Sequence, residues 1–366
     1  MTVVRFKNLN VGRSRPSNKF QTHGICNENL GYNKEDTWLS ILARTCPRKS
    51  VVRQWIPRSR VGSRTAPSLA RTNRYMCSAR HTIGLSTPTN PRSGKLNIWA
   101  STVRTAPSRF AAIIRRKPGI AEGAALVYLH GGGYIVGSLD QFDTAMRLFA
   151  ENSGAQVYAV DYKLAPEYQF PVQIEEDEFV VRWLHEHAHE RGIDPTRIAL
   201  GGDSAGGNQT CVVALKLRDE GGPKLALQMP IYPEAALPFD TRAGIENRSG
   251  SYVDTAGVLL FAWCYIPQGV DYSQPYITPL NAPSHADLPK TLLVTCGFDM
   301  LRDVAHAYGL KLAAAGNDLT YVHYDDLPHG FIQMTRHSKR CLESTLEIAR
   351  LLGEALKKTR AAAAKR

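Results

Sequence analysis

The chain has 366 residues, of which 43% are hydrophobic and 21% are charged. This is a globular composition with enough apolar material for a core, and it excludes whole-chain disorder, collagen and coiled coil. No apolar run approaches the roughly 18 residues that a membrane-spanning helix needs. No secretory signal pattern is present either. From these two observations we expect no membrane-spanning helix.

The net charge of +12 is concentrated in the first part of the chain. Residues 1–110 contain 20 Lys and Arg against 3 Asp and Glu, whereas residues 111–366 contain 25 against 30. The mildly acidic larger part therefore gives no reason to expect specific nucleic-acid binding. The seven cysteines are scattered without CxxC spacing, which argues against a disulfide framework or a structural zinc site. A reducing compartment, and so a cytoplasmic location, is the expectation.

Residues 1–95 form a basic segment rich in Arg, Ser, Thr, Asn and Pro, without a sustained apolar period. Low hydrophobicity with high net charge predicts poor order. Three origins of this segment stay open: a targeting extension, a basic arm that contacts an anionic surface, or a stretch translated in the wrong frame. A folded domain is predicted over residues 96–366.

Within that domain, short β-branched runs alternate with helical patterns. Strands are predicted at 96–101, 110–116, 124–130, 156–162, 197–203, 225–232, 291–297 and 320–326. Helices are predicted at 140–152, 173–190, 204–220, 303–315 and 339–358. Such alternation indicates an α/β fold with a mainly parallel sheet, and the first two strands, which have no helix between them, indicate an antiparallel start. The stretch 233–290 is too long for a simple crossover, so we interpret it as an insertion that covers one end of the sheet.

A G-x-S-x-G sequence follows the strand predicted at 197–203. It runs from Gly202 to Gly206 and opens a helix, so it matches the strand–turn–helix elbow that presents a serine Oγ at a sheet edge. Ser204 is therefore the candidate nucleophile. The alternative is a glycine-rich turn whose serine only caps the helix.

Three glycines follow His130 directly after the strand predicted at 124–130. Successive glycines leave backbone N–H groups open to an incoming oxygen, as in the HGGG type of oxyanion hole. We predict that the N–H groups of Gly131 and Gly132, together with that of Ala205 after the nucleophile, surround the oxyanion. The alternative for such a glycine run is a flexible turn.

Asp299 and His329 each follow a predicted strand, at the same sheet edge as the elbow. The chain order Ser204, Asp299, His329 is that of the α/β-hydrolase triad. Asp303 is a rival acid, but its position favours a helix N-cap. Asp325 and Asp326 end a strand and are expected to face solvent.

The stretches HGGGYIVGS, DYKLAPE, GIDPTRIALGGDSAGGN, GFDMLRD and LPHGF make residues 110–355 resemble the hormone-sensitive-lipase family of α/β-hydrolase esterases. The resemblance implies an α/β-hydrolase fold with a mostly parallel eight-stranded sheet, helices on both faces and a cap. It implies a serine carboxylic ester hydrolase that forms an acyl-enzyme and needs no metal or organic cofactor. Ser204 would be the nucleophile, His329 the general base and acid, and Asp299 the group that orients His329.

The family resemblance also suggests a small-molecule ester substrate with a short to medium acyl chain, and a possible homodimer. Leu260, Phe261 and Trp263 of the insertion are candidates for the pocket wall, with ordinary core packing as the alternative. Asp161 and Glu167 match family positions that we interpret as loop-fixing. Residues 1–95 do not resemble the cap helices with which the family normally opens.

Two other function classes match parts of the sequence. The stretch from His185 to His189 matches the H-E-x-x-H zinc signature, but it lies at a helix end, where histidines are favoured by the helix dipole. A non-catalytic ligand-binding protein on the same fold is the alternative to an enzyme. Such proteins typically lack a triad member, and all three members are present here.

Overall fold

A nine-stranded β-sheet is the framework of the computed structural model, which describes residues 2–6, 95–103, 106–114, 121–250 and 252–357. The strands in chain order are β1 (Thr2–Phe6), β2 (Lys95–Val103), β3 (Ala106–Ile114), β4 (Ala125–Leu129), β5 (Gln156–Asp161), β6 (Ile198–Asp203), β7 (Leu227–Ile231), β8 (Thr291–Phe298) and β9 (Leu319–Pro328). Across the sheet their order is β1-β9-β8-β7-β6-β4-β5-β3-β2.

Six neighbouring strands, from β5 across to β9, pair in parallel. Their carboxyl ends therefore meet at one edge of the sheet, where ligand sites form in open α/β sheets. The margins are antiparallel, with β3 against β5, β2 against β3, and β1 against β9. The predicted mostly parallel sheet and its antiparallel start are confirmed.

The strand β1 was not predicted. Thr2 pairs with His323 and Phe6 with Leu319, so β1 adds an edge strand to the eight that the sequence predicts. Apart from β1 and Lys95, where β2 begins, the segment for which poor order is predicted lies outside the described residues.

Seven α-helices occur in the described part of the chain. They are α1 (Leu139–Ser153), α2 (Val172–Glu186), α3 (Ala205–Asp219), α4 (Arg242–Glu246), α5 (Thr255–Tyr265), α6 (Arg302–Ala314) and α7 (Lys339–Ala355). The predicted helix 173–190 ends at Glu186, and a separate 3-10 turn follows at His189–Arg191. None of the helices that the structure describes is both long and apolar enough to cross a membrane.

The core consists of two apolar clusters, one on each face of the sheet. Strand β4 contributes to both, because successive side chains of a strand point to opposite faces. Leu126 and Tyr128 pack with residues of α1 and α7, whereas Val127 and Leu129 pack with residues of α2, α3 and α6. Each Leu or Val buried in this way stabilises the fold by about 1.5–3 kcal/mol. The sheet thus has helices on both faces, as predicted.

The connection between β7 and β8 corresponds to the predicted insertion 233–290. It contains α4, α5 and a 3-10 turn at Pro279–Asn281. Its Tyr265 stacks on Tyr134 with ring centroids 3.9 Å apart, and the Tyr265 carbonyl accepts a hydrogen bond from the Phe170 N–H at 2.9 Å. These contacts fix the insertion beside the glycine-rich loop that follows β4.

Candidate active site

Ser204 lies in the turn between β6 and α3. Its backbone has φ 55° and ψ −117°, a conformation that costs a non-glycine residue energy and persists only where surrounding contacts hold it. The Ser204 N–H donates to the Ile231 carbonyl at 2.9 Å, and the Ser204 carbonyl accepts the Asn208 N–H at 2.9 Å. The turn needs glycine at position 206, because a Cβ there would overlap the Leu129 carbonyl. The elbow therefore holds the Ser204 hydroxyl at the carboxyl edge of the sheet.

Ser204, His329 and Asp299 form a continuous hydrogen-bonded chain. The His329 Nε2 atom lies 2.8 Å from the Ser204 Oγ, and the His329 Nδ1 atom lies 3.0 Å from the Asp299 Oδ2. Asp299 is 1% exposed and His329 is 7% exposed, so water barely reaches this chain. The arrangement is that of a nucleophile, a base and a group that orients the base.

Asp299 is held in place from both sides of its carboxylate. Its Oδ1 atom accepts the Leu301 N–H at 2.8 Å, and its Oδ2 atom also accepts the Cys296 thiol at 3.5 Å. The Asn247 side chain donates to the Asp299 carbonyl at 3.4 Å. These bonds leave Oδ2 directed at His329.

The other acidic candidates make different contacts. Asp303 accepts the Ala243 N–H at 2.7 Å, and it lies in the first turn of α6, whose N-cap is Leu301. The expectation that Asp303 is the N-cap is therefore wrong, because α6 begins at Arg302 and Asp303 is its second residue. Asp325 and Asp326 pair with His323 and Arg340 at the surface.

The electrostatics of the site act on His329. Burial alone would lower the pKa of His329, but the carboxylate of Asp299, with contributions from Asp203 and Glu234, outweighs burial and raises this pKa above its ordinary value. The imidazolium that forms when His329 takes a proton is thereby stabilised.

The glycine loop after β4 requires a correction to the predicted oxyanion hole. The Gly131 N–H donates to the Asp203 Oδ1 at 2.9 Å, so it is not free for a substrate oxygen. Within the described part of the chain, the N–H groups of Gly132, Gly133 and Ala205 have no acceptor. Gly133, which has φ 58°, thus has the free N–H group that was expected of Gly131.

Asp203 joins this loop to the elbow. Besides the Gly131 N–H, it accepts the hydroxyls of Tyr128 at 2.9 Å and Tyr232 at 3.4 Å. Burial raises the pKa of Asp203 to about 6, and the same hydrogen bonds limit the rise. A Cβ on Gly131 would lie 2.6 Å from the Asp203 Oδ2, so the close approach of the loop depends on glycine.

His130, the first residue of the HGGG sequence, has a structural position. Its ring lies between Tyr162 and Phe142, with centroid distances of 4.3 and 5.3 Å, and its Nδ1 is 2.7 Å from the Gly131 carbonyl. Burial lowers the pKa of His130 to about 4, so the ring is neutral at physiological pH and its Nδ1–H donates to that carbonyl.

The three predicted pocket residues differ in their surroundings. The Phe261 ring covers Gly133 so closely that a Cβ on this glycine would overlap it. Leu260 and Trp263 are 40% and 43% exposed on the outer side of α5. The structure thus brings Phe261 to the glycine loop, and the part of Leu260 and Trp263 in a pocket stays a prediction.

The H-E-x-x-H stretch does not form one helical face. His185 belongs to α2, which ends at Glu186, whereas His189 opens the separate 3-10 turn. Among the described residues, no group of three or more His, Cys, Asp or Glu side chains is arranged to hold a metal ion.

Sequence reasoning missed two site residues. Asp203 directly precedes the nucleophile in the G-x-S-x-G sequence, and this position alone could have indicated that it lies at the site. Glu234 follows β7 and is 4% exposed; its Oε1 accepts the Tyr134 hydroxyl at 3.1 Å. Nothing in the local sequence indicates that this carboxyl group is buried beside the site.

Comparisons with known proteins agree with this geometry. Residues 126–333 match the family model described as the alpha/beta hydrolase fold. Over 217 residues, the chain is 36% identical to Esterase LipI of Mycobacterium tuberculosis, covering 59% of this chain and 68% of that protein. Carboxylesterase NlhH of the same species is 37% identical over 224 residues, which are 60% of this chain and 70% of that protein.

The solved structures that are similar include an alpha/beta hydrolase enzyme from the metagenome of Lake Arreo, Spain. It is 29% identical, with a TM-score of 0.71, over 83% of this chain and 93% of the other. The likeness therefore extends beyond the residues that match the family model.

Proposed function

Because the chain belongs to the hormone-sensitive-lipase-like carboxylesterases of the α/β-hydrolase fold family, we propose that it is a serine carboxylic ester hydrolase with its acyl-enzyme on Ser204. The observation that carries the proposal is the chain of 2.8 and 3.0 Å contacts from the Ser204 Oγ through His329 to Asp299. A serine that only caps a helix has no need of a buried imidazole and carboxylate aligned behind it.

The reaction begins when His329 takes the proton of the Ser204 hydroxyl as Oγ attacks the ester carbonyl. The tetrahedral oxyanion is bound by the N–H groups of Gly132, Gly133 and Ala205. His329 then protonates the leaving alcohol. In the second half, water gives a proton to His329 and attacks the acyl-enzyme, which frees the acid and restores Ser204.

The preferred substrates are small esters with short to medium acyl chains. Phe261 supports this proposal because its ring covers Gly133 and limits the space next to the oxyanion hole. The curated relatives named as esterase and carboxylesterase support the reaction class. A non-catalytic ligand-binding role on this fold is disfavoured because all three members of the triad are present and in contact.

Two finer parts of the proposal concern the whole protein. The first is that the protein acts in the cytoplasm, as expected from its cysteine usage. The second is that it forms a homodimer, as expected from the family resemblance. Sedimentation velocity of the purified chain tests the second part. A single monomeric species over a hundredfold range of concentration would contradict it.

The chemical role of Ser204 is tested by covalent labelling with a fluorophosphonate. The proposal predicts one label per chain, located on Ser204 by peptide mass spectrometry. His329→Ala should slow the labelling by about 10³-fold or more, because the hydroxyl loses its base. A label on another residue, or a rate that His329→Ala leaves unchanged, would contradict the proposed mechanism.

A further inference from the structure

A carboxyl group that the proposed mechanism does not use lies in the wall of the site. Glu234 follows β7, and its backbone carbonyl accepts the Asn208 side chain at 2.6 Å. Because the Asn208 N–H also donates to the Ser204 carbonyl, the Glu234 backbone is tied to the helical turn that follows the nucleophile. The backbone of Glu234 is therefore held beside the nucleophile elbow.

One oxygen of Glu234 is engaged and the other is available. The Oε1 atom accepts the Tyr134 hydroxyl at 3.1 Å, and Tyr134 directly follows the free N–H groups of the glycine loop. The Oε2 atom has no hydrogen-bond partner in the part of the chain that the structure describes. Glu234 as a whole is 4% exposed, and its Oε2 is not fully sealed in the way that the two unpaired oxygens of Asp177 are. A nearly buried carboxyl oxygen without such a partner is suited to bind part of a substrate.

The charges around Glu234 favour a cation. The titratable groups that face it are Tyr134 from the glycine loop, Tyr265 from α5 and His329 from the loop after β9. Asp203 and Asp299 add two further carboxyl groups that act on His329. Residues 111–366 as a whole carry more acidic than basic side chains. Once His329 is neutral, Asp203 and Asp299 are the charged groups of the site, so a cationic group that binds there meets charges of favourable sign.

We propose that Glu234 is a specificity-determining residue that selects esters bearing a positively charged ammonium group close to the scissile bond. This inference rests on the proposed function, since it concerns the substrate of the same site. Neutral esters lack the group that pairs with the Glu234 Oε2, so they gain nothing from this carboxylate.

The pairing has a defined pH dependence. Burial raises the pKa of Glu234 to about 8, against the opposing effects of the Tyr134 hydroxyl and the positive charge on His329. Glu234 is therefore mainly protonated at neutral pH and becomes an anion as the pH rises through about 8. The preference for a cationic ester should increase over the same range. Both kinds of ester need His329 in its neutral form. The pH dependence of His329 therefore cancels in the ratio of the two kcat/KM values.

The experiment compares two pairs of esters of equal shape. Acetylcholine and 3,3-dimethylbutyl acetate test the alcohol side, and ethyl 4-(trimethylammonio)butyrate and ethyl 5,5-dimethylhexanoate test the acyl side. The quantity measured is the kcat/KM ratio of the cationic to the neutral member at about pH 6.5 and 9. For at least one pair, we expect the ratio to rise about tenfold between these two pH values in the wild type.

Two variants accompany the wild type. Glu234→Gln keeps the shape of the side chain but cannot become an anion, so the rise in the ratio should disappear. Glu343→Gln removes a carboxylate from an exposed position on α7 and should leave the rise unchanged. If Glu234→Gln does not fold, the change in the wild-type kcat/KM ratio between the two pH values still tests the inference.

Each outcome is decisive. A flat ratio for both pairs in the wild type, or a rise that Glu234→Gln retains, would overturn the inference. Turnover of p-nitrophenyl butyrate without turnover of either pair would also overturn it, and the proposed function would stand. No turnover of any ester by the folded chain would count against the proposed function itself.

Discussion

His329 contacts both other members of the proposed triad, so its protonation state controls the reaction. Only the neutral imidazole can take the Ser204 proton, and the raised pKa of His329 sets the pH below which this form is lost. The rate should therefore rise with pH through a midpoint that lies above the ordinary histidine pKa. A flat rate from about pH 5 to 8 would contradict the role of His329.

Asp299→Asn should lower kcat by about 10³–10⁴-fold, because an amide cannot hold the His329 tautomer or stabilise the imidazolium. The rate that remains should begin to fall at a lower pH than in the wild type, because the Asp299 charge that raises the pKa of His329 is gone. The pH–rate profile of the variant measures both effects.

Asp303→Asn is the matched control for this prediction. An amide oxygen can still accept the Ala243 N–H that Asp303 accepts, so kcat should stay within about threefold of the wild type. A larger loss in Asp303→Asn than in Asp299→Asn would reverse the assignment of the orienting carboxylate.

At the scale of elements, the site depends on how the loop after β4 is attached to the elbow after β6. Asp203 makes this attachment through the Gly131 N–H and the Tyr128 hydroxyl, both at 2.9 Å. The glycines that follow are therefore positioned by a residue that does not itself touch the substrate.

Two substitutions separate the charge of Asp203 from its hydrogen-bonding role. Asp203→Asn retains an oxygen that can accept the Gly131 N–H, so kcat should fall by less than about tenfold. Asp203→Ala leaves that N–H and two tyrosine hydroxyls without their acceptor, and kcat should fall about 10²–10³-fold through the oxyanion hole. Steady-state kinetics on p-nitrophenyl butyrate measure both. Equal kcat values in Asp203→Ala and the wild type would show that the loop does not need this attachment.

The regular elements were predictable because their apolar periods are strong. The predicted helix 204–220 appears as Ala205–Asp219, and the predicted strand 291–297 as Thr291–Phe298. Strand β1 escaped prediction because five residues in a basic segment carry too short a pattern. Its stability comes from pairing with β9, more than 300 residues away in the chain.

The candidate site was predictable only in part. The chain order and the strand ends indicated Ser204, Asp299 and His329, and the structure brings them together. The sequence shows three consecutive glycines but does not reveal that one N–H is already bound to Asp203. It also gives no sign that Glu234 is buried, because this depends on Tyr134 and on the packing of Tyr265 from the insertion.

For the whole molecule, the proposed chemistry requires no metal ion. Prolonged dialysis against a chelator should leave kcat unchanged, because the proposed mechanism uses only side chains and backbone N–H groups. Activity is measured before and after dialysis, with and without added zinc. Loss of activity that zinc restores would revive the His185 and His189 stretch as a functional site.

The central claim is that this chain hydrolyses esters through Ser204. The most direct measurement is the hydrolysis of p-nitrophenyl butyrate by the full-length chain, beside Ser204→Ala and the exposed control Ser284→Ala. We expect turnover in the wild type and in Ser284→Ala, and a fall of about 10⁴-fold or more in folded Ser204→Ala. Turnover that persists in Ser204→Ala, or its absence from the folded wild type, would contradict the role of Ser204 in ester hydrolysis.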